Sequence, residues 1–162
     1  MRQLIRLLVI PGVVGWLLGG CSEKIEPKPA TFSQLLTGTD KKSWKMVSIQ
    51  VIDDGKAQGV IPVAQLNDCS TDDILTFYAD AERKLEVSQG SSICYPSEPD
   101  LYVTDTWTLV NANATLEFYI PILNGVYPWT IKNLTSNVLT VQYYFSDINA
   151  SYQFTFNSTT TK

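Results

Sequence analysis

Residues 115–157 read TLEFYIPILNGVYPWTIKNLTSNVLTVQYYFSDINASYQFTFN, and their pattern is the clearest indication of the fold class. Apolar residues occupy every second position in 116–120, 127–131 and 152–156. A period of two places the apolar side chains on one face, which is typical of a half-buried β-strand. Turn residues separate the apolar runs: Asn124-Gly125, Ser136-Asn137 and Asp147-Ile148-Asn149. The stretch therefore predicts four strands joined by short turns, at 115–121, 127–134, 137–145 and 150–157.

Strand-like composition, rich in Val, Ile, Thr and aromatic residues, extends back from this stretch to residue 43. It predicts four more strands, at 43–52, 72–79, 83–89 and 103–110, with an irregular segment at 55–71. Eight short strands with one apolar face each predict an all-β fold, an eight-stranded up-and-down antiparallel barrel. A two-sheet sandwich has the same periodicity, so the pattern alone does not separate the two architectures.

The residues before the first strand predict an extended tether and a short helix. The segment 22–30 (SEKIEPKPA) is polar and contains two prolines, which is typical of an extended linker. In 31–38, apolar residues follow helical spacing, Thr31 or Ser33 is available as an N-cap, and Gly38 is placed to end the helix. We expect this short helix to close one end of the barrel.

The first 21 residues carry the pattern of an export signal. Arg2 and Arg6 are followed by an apolar run over 7–18 and then by Leu18-Gly19-Gly20-Cys21. The order resembles the lipobox of bacterial lipoproteins. The resemblance implies that 1–20 is a signal peptide removed on export, and that Cys21 becomes the N-terminus and carries palmitate-type acyl chains. The 14 residues of 7–20 are too short for the roughly 20 that a membrane-spanning helix needs.

The residue after the lipidated cysteine bears on localisation. Ser22 stands there rather than Asp, which by the same resemblance implies a cell-envelope protein anchored to the outer membrane. Whether it faces the periplasm or the cell surface stays open. The expected organisation is a signal peptide at 1–20, a lipidated tether with a short helix at 21–38, and a barrel domain at 39–162.

Two cysteines remain for the folded domain, Cys69 and Cys94. An even pair in an exported protein favours a disulfide. Their midpoint, 81.5, is also the midpoint of the turn candidate Asp80-Ala81-Glu82-Arg83. The two cysteines therefore lie opposite each other at the open end of a predicted hairpin, where the separation suits a disulfide.

Composition excludes several functions. The chain has no histidine, which removes the Ser-His-Asp and Cys-His catalytic arrangements and the commonest metal ligand. Without Arg2 and Arg6 it carries 10 basic and 16 acidic residues, a net charge of −6 that argues against nucleic acid. Asp68, Asp72 and Asp73 lack the spacing of a known calcium loop. We expect no enzyme activity, no metal and no cofactor.

Motifs in a fixed order carry a family resemblance over roughly residues 35–157. They are Leu36-Thr37-Gly38, Ser43-Trp44-Lys45-Met46, the segment 69–77 (CSTDDILTF), Cys94, Asp105-Thr106-Trp107-Thr108-Leu109 and the segment 131–139 (IKNLTSNVL). This set resembles the lipocalin-like domain family common in lipoproteins of the Bacteroidetes. The resemblance implies a lipocalin-like barrel and, by analogy, binding of a small apolar molecule.

Aromatic residues on the predicted inner faces are the candidate ligand contacts. They are Trp44, Phe77, Trp107, Phe118, Trp129, Tyr143 and Phe154. An eight-stranded barrel either fills its interior with side chains or holds one small ligand. The sequence therefore leaves two functions open: a membrane-anchored module binding a small hydrophobic ligand, or a packed barrel that meets another envelope protein. Exposed tyrosines, Tyr144 with Tyr119, are the candidate partner surface.

Overall fold

The computed structural model describes residues 30–66 and 68–159, which form one helix, ten strands and four short 3₁₀ turns. The helix α1 is Phe32–Thr37. The strands are β1 (Lys41–Asp53), β2 (Lys56–Pro62), β3 (Ile74–Tyr78), β4 (Lys84–Ser88), β5 (Leu101–Thr106), β6 (Thr108–Val110), β7 (Thr115–Ile120), β8 (Gly125–Leu134), β9 (Val138–Phe145) and β10 (Ala150–Thr159). The 3₁₀ turns are Val63–Gln65, Cys69–Asp72, Pro121–Leu123 and Ser146–Ile148.

All ten strands belong to one antiparallel sheet that nearly closes into a barrel. The order is β5-β4-β3-β1-β10-β9-β8-β7-β6, and β2 pairs with the second half of β1. At two positions in the barrel wall, two strands stand in place of one. β2 and β3 pair with the same edge of β1, and β5 continues into β6 after a break at Trp107. The predicted all-β barrel is therefore confirmed and the sandwich alternative is wrong, but the sheet of the described residues has ten strands rather than the predicted eight.

The strand β2 is the one wall segment that the sequence pattern missed. Residues 55–71 are predicted as irregular, yet 56–62 pairs with β1 as an edge strand. Every residue of β2 is exposed, so neither face of the strand selects apolar residues. A strand without a buried face has no alternation to detect.

The short helix α1 forms as predicted and closes one end of the barrel. The Thr31 hydroxyl accepts a hydrogen bond from the Gln34 amide, and the Gln34 side chain accepts one from the Thr31 amide, which completes a capping box. Gly38 ends the helix with a positive φ of 69°. Leu36 is fully buried, and its carbonyl accepts a hydrogen bond of 2.8 Å from the Trp44 indole. Within the described residues, six-residue α1 is the only α-helix, and none there could span a membrane.

Two hairpin turns at the opposite end repeat the same construction 25 positions apart. In each, a strand runs into a 3₁₀ turn and then an asparagine in the left-handed region, Asn124 with φ 47° and Asn149 with φ 52°. The hydroxyl of Tyr119 donates to Asn124 Oδ1 over 2.9 Å, and that of Tyr144 to Asn149 Oδ1 over 2.7 Å. Asparagine tolerates this backbone conformation better than other non-glycine residues.

We expect Asn149→Ala to lower the free energy of unfolding by about 1–2 kcal/mol, because alanine is strained at this backbone conformation. Urea denaturation followed by fluorescence measures the change. Asn149→Gly relieves the strain but loses the Tyr144 hydrogen bond, so its loss should be smaller. Asn133→Ala, at an exposed position on β8, is the control with little change. A loss in Asn149→Gly as large as that in Asn149→Ala would contradict the conformational explanation.

Candidate functional site

The predicted ligand-contacting aromatics lie in the barrel interior, where most are fully buried. Phe77, Phe118 and Trp129 have no exposed surface, and Tyr143 alone among the seven is partly exposed. The remaining three are Trp44, Trp107 and Phe154, each less than 5% exposed. The prediction that these side chains face inward is therefore correct.

Inside the barrel the rings contact one another and leave a packed core. Phe118 is central: its ring centroid lies 5.4 Å from that of Phe77, 6.1 Å from Trp129 and 6.3 Å from Phe156. Trp129 also meets Phe154 edge-on at 5.2 Å. Edge-to-face contacts at these distances are the preferred aromatic geometry.

Both ends of this core are covered. At the helix end, Leu36 of α1 joins the core. At the opposite end, Val63 and Leu66, from the connection between β2 and β3, pack against it. One polar atom within the core has no partner among the described residues, the indole nitrogen of Trp129.

The predicted disulfide between Cys69 and Cys94 is present, with Cα atoms 5.2 Å apart. The β3–β4 ladder pairs Ile74 with Ser88, so the hairpin centres on residue 81 rather than 81.5. Both cysteines lie beyond that ladder, Cys69 in a 3₁₀ turn and Cys94 in the loop 89–100. The bond therefore ties this loop to the barrel end.

We expect the double replacement Cys69→Ala with Cys94→Ala to lower the free energy of unfolding by about 3–4 kcal/mol. The bond closes a loop of 25 residues, and opening a loop of that size raises the entropy of the unfolded chain. Denaturation of the oxidised protein, the reduced protein and the variant measures the effect. Reduced protein and variant should unfold at similar denaturant concentrations; a variant as stable as the oxidised protein would contradict the prediction.

A cleft of about 640 Å³ opens at the disulfide end of the barrel, and we call it the rim cleft. It lies between the disulfide loop, the turn that begins at Cys69, and the β7–β8 turn. The 3₁₀ turn Cys69–Asp72 packs against the 3₁₀ turn Pro121–Leu123, which fixes one side of the cleft. Its lining consists of Asp68, Cys69, Ser70, Asp73, Gln89, Cys94, Tyr95, Glu98, Tyr102, Tyr119, Pro121, Ile122 and Asn124.

Asp72 holds the start of the disulfide loop in place. Its Oδ2 accepts hydrogen bonds from the Ser91 amide, the Ser91 hydroxyl and the Ser92 amide, at 2.8, 2.7 and 3.1 Å. Burial opposes its charge, but these hydrogen bonds outweigh burial and lower the pKa of Asp72. A Cβ at Gly90 would lie 2.4 Å from Asp72, so only glycine lets the loop approach this closely.

Asp73 is a buried carboxylate at the base of the rim cleft. The Tyr102 hydroxyl donates to its Oδ2, and the Gly90 amide donates to Oδ1 over 3.3 Å. Burial raises the pKa of Asp73, and the nearby Asp72 and Asp68 carboxylates raise it further. Burial and the hydrogen bond to Asp73 likewise raise the pKa of Tyr102.

The acidic side chains of this end do not assemble a metal centre. Among the residues that the structure describes, no group of three His, Cys, Asp or Glu side chains could hold a metal ion. Asp68 instead caps the following turn, accepting from the Ser70 amide at 2.9 Å. These carboxylates therefore have structural partners within the loop and turn.

A second cleft, of about 480 Å³, lies at the helix end. Its wall includes Ser33 and Thr37 of α1 together with Arg83 and Trp107. The Arg83 guanidinium lies 5.5 Å from the centroid of the Trp107 ring, and the Trp107 indole donates to the Tyr78 carbonyl over 3.1 Å. Trp107 is the one predicted ligand contact that reaches either of these two clefts.

The two tyrosines of the predicted partner surface differ in exposure. Tyr144 is exposed on β9, as expected, whereas Tyr119 is half-buried and lines the rim cleft. The two tyrosines occupy matching positions in the two repeated hairpins. Of the two, only Tyr119 contributes to the rim cleft.

Sequence reasoning missed the rim cleft itself. Tyr95, Glu98 and Tyr102 come from a loop and the strand after it, and Tyr119 from β7, far along the chain. The one local indication of the cleft in the sequence was the segment 89–92 (QGSS), whose glycine packs closely against Asp72 and whose serines donate hydrogen bonds to it. Cys21 and the predicted signal peptide at 1–20 lie outside the described residues, so both stay predictions. Comparison with protein-family models and with curated proteins found no match for the chain.

Proposed function

We propose that this protein is a lipoprotein of the bacterial outer membrane whose packed, lipocalin-like barrel is a rigid binding module. Acyl chains on Cys21 hold it at the membrane, and binding takes place on the outer surface and at the rim cleft. The packed interior carries the proposal: rings fill the barrel where a lipocalin-like ligand would lie.

Three features support a role for the disulfide end in binding. The disulfide holds the loop 89–100 against the barrel, so that residues of the rim cleft keep their places without a ligand. The cleft is large enough for a small molecule, since ligand sites typically measure about 300–1,000 Å³. Tyr95 beside it is well exposed, and tyrosine is enriched at binding surfaces.

A small apolar ligand inside the barrel is the second candidate function. The observation that favours it is the Trp129 indole nitrogen, a buried donor without a partner among the described residues. A ligand oxygen would satisfy this donor, but the rings around Phe118 would have to separate to admit it.

Native mass spectrometry on fragment 22–162, exported to the periplasm, separates the two functions. All described elements lie within this fragment. We expect bare protein, two mass units below its reduced mass, that takes up no fatty acid or phospholipid. A co-purified apolar adduct that is lost on denaturation would overturn the packed-barrel proposal and favour the internal ligand.

A further inference from the structure

The rim cleft combines negative charge with the absence of positive charge. Asp68, Asp73 and Glu98 line it, and no lysine or arginine appears among the described lining residues. Glu98 makes no side-chain hydrogen bond or ion pair within the described part of the chain. Burial raises the pKa of Tyr119, and the charges of Asp73 and Glu98 raise it further. Both carboxylates therefore lie near the Tyr119 hydroxyl.

The side chain of Gln89 positions the loop that carries Glu98. The side-chain oxygen of Gln89 is buried and has no hydrogen-bond donor among the described residues, while its nitrogen donates to the carbonyls of Glu98 and Pro99. These two hydrogen bonds fix the orientation of the Gln89 amide group and leave its oxygen without a hydrogen bond among the described residues. Because that oxygen has almost no accessible surface, a ligand in the cleft does not contact it, and Gln89 serves to hold the backbone at Glu98 and Pro99.

Aromatic and apolar surfaces form the rest of the cleft. Tyr95, Tyr102 and Tyr119 contribute rings, and Pro121 and Ile122 contribute apolar surface. The hydroxyls of Tyr102 and Tyr119 already donate to Asp73 and Asn124, so they offer acceptor lone pairs and ring faces rather than free donors. Tyrosine faces attract cations.

We propose that the rim cleft binds a small organic ammonium ion, its charged head at Glu98 and its carbon chain against the tyrosines and Ile122. The inference rests on the proposed function, because it names the ligand class for the binding surface proposed there. A bare metal ion fits less well, since the described carboxylates do not converge on one point. An ammonium ion on a carbon chain uses both the carboxylate and the apolar wall.

Calorimetric titration of fragment 22–162 tests this assignment with three probes of similar length. These are 1,5-diaminopentane, lysine blocked at both its amino and carboxyl ends, and the neutral 1,5-pentanediol. We expect the diamine to bind with a Kd of about 1 mM or tighter and the diol not to bind. Glu98→Gln should weaken diamine binding about tenfold, because it removes the free charge. Glu82→Gln, on the exposed turn at the helix end, is the matched control and should bind as the parent does.

Three results would overturn the assignment. They are diol binding as tight as diamine binding, no diamine binding at about 10 mM, and equal affinity in Glu98→Gln and the parent. Blocked lysine also carries an ammonium ion on a carbon chain, so its binding would support the assignment. Native spectra of the same samples show the state of the interior separately, so failure here is distinguishable from failure of the packed-barrel proposal.

Discussion

Replacing Phe118 with alanine should lower the free energy of unfolding by about 3–5 kcal/mol, the usual cost of removing a fully buried aromatic ring. Phe118 has no exposed surface and contacts three other rings, so its neighbours lose packing that they cannot readily recover. Urea denaturation measures the loss. Phe32→Ala is the matched control: Phe32 on α1 is 43% exposed, and its loss should stay within about 1 kcal/mol.

The same variant supplies a positive control for the claim that the packed interior has no room for a ligand. Removing the Phe118 ring leaves a cavity lined by apolar side chains, and such cavities stay dry and accept small apolar molecules. We therefore expect Phe118→Ala to take up benzene-sized compounds in native mass spectrometry, while the parent protein takes up none. A parent protein that binds them as well as the variant does would contradict the packed interior.

Cys21→Ser should abolish incorporation of labelled palmitate, because the proposed acyl chains need the Cys21 thiol. The double variant Cys69→Ala with Cys94→Ala is the control and should keep its label, since those two cysteines bond to each other. Mass spectrometry of the mature N-terminus measures the modification directly. Label that persists in Cys21→Ser, or that depends on Cys69 or Cys94, would contradict the lipoprotein proposal.

Membrane attachment gives the second measurement of the same prediction. Fragment 22–162 behind an ordinary cleavable export signal should appear in the soluble periplasmic fraction, whereas the full chain should remain with the membranes. Two acyl chains hold a protein stably because each buried methylene contributes about 0.8 kcal/mol. Equal membrane association of the two forms would place the attachment elsewhere in the chain.

Much of the fold could be predicted because its information is local. The alternation in 115–157 depends on nearest neighbours, and four strands lie there as expected. Thr31 and Gly38 act within one turn of helix, so the helix ends were also readable. The break at Trp107 and the edge strand β2 were missed, because each depends on a partner strand rather than on its own residues.

The candidate site was less predictable because it gathers distant residues. Placing an aromatic on an inner face needs only the strand period, but a packed interior depends on which rings meet, as Phe118 and Phe77 do. The raised pKa of Asp73 likewise follows from burial, which outweighs the hydrogen bond that Tyr102, 29 residues away, donates to its carboxylate. Neither the burial of Asp73 nor its contact with Tyr102 can be predicted from the residues beside Asp73 in the sequence.

Local sequence information was enough to predict the strand pattern, the turns, the capped helix, the pairing of Cys69 with Cys94 and the absence of histidine chemistry. The packed barrel interior and the acidic cleft beside the disulfide became visible only in the three-dimensional structure. The physical reason is the range of the interactions. Backbone preference and side-chain alternation act over a few residues. Packing and charge burial arise only when strands that are distant in the sequence come together in the barrel.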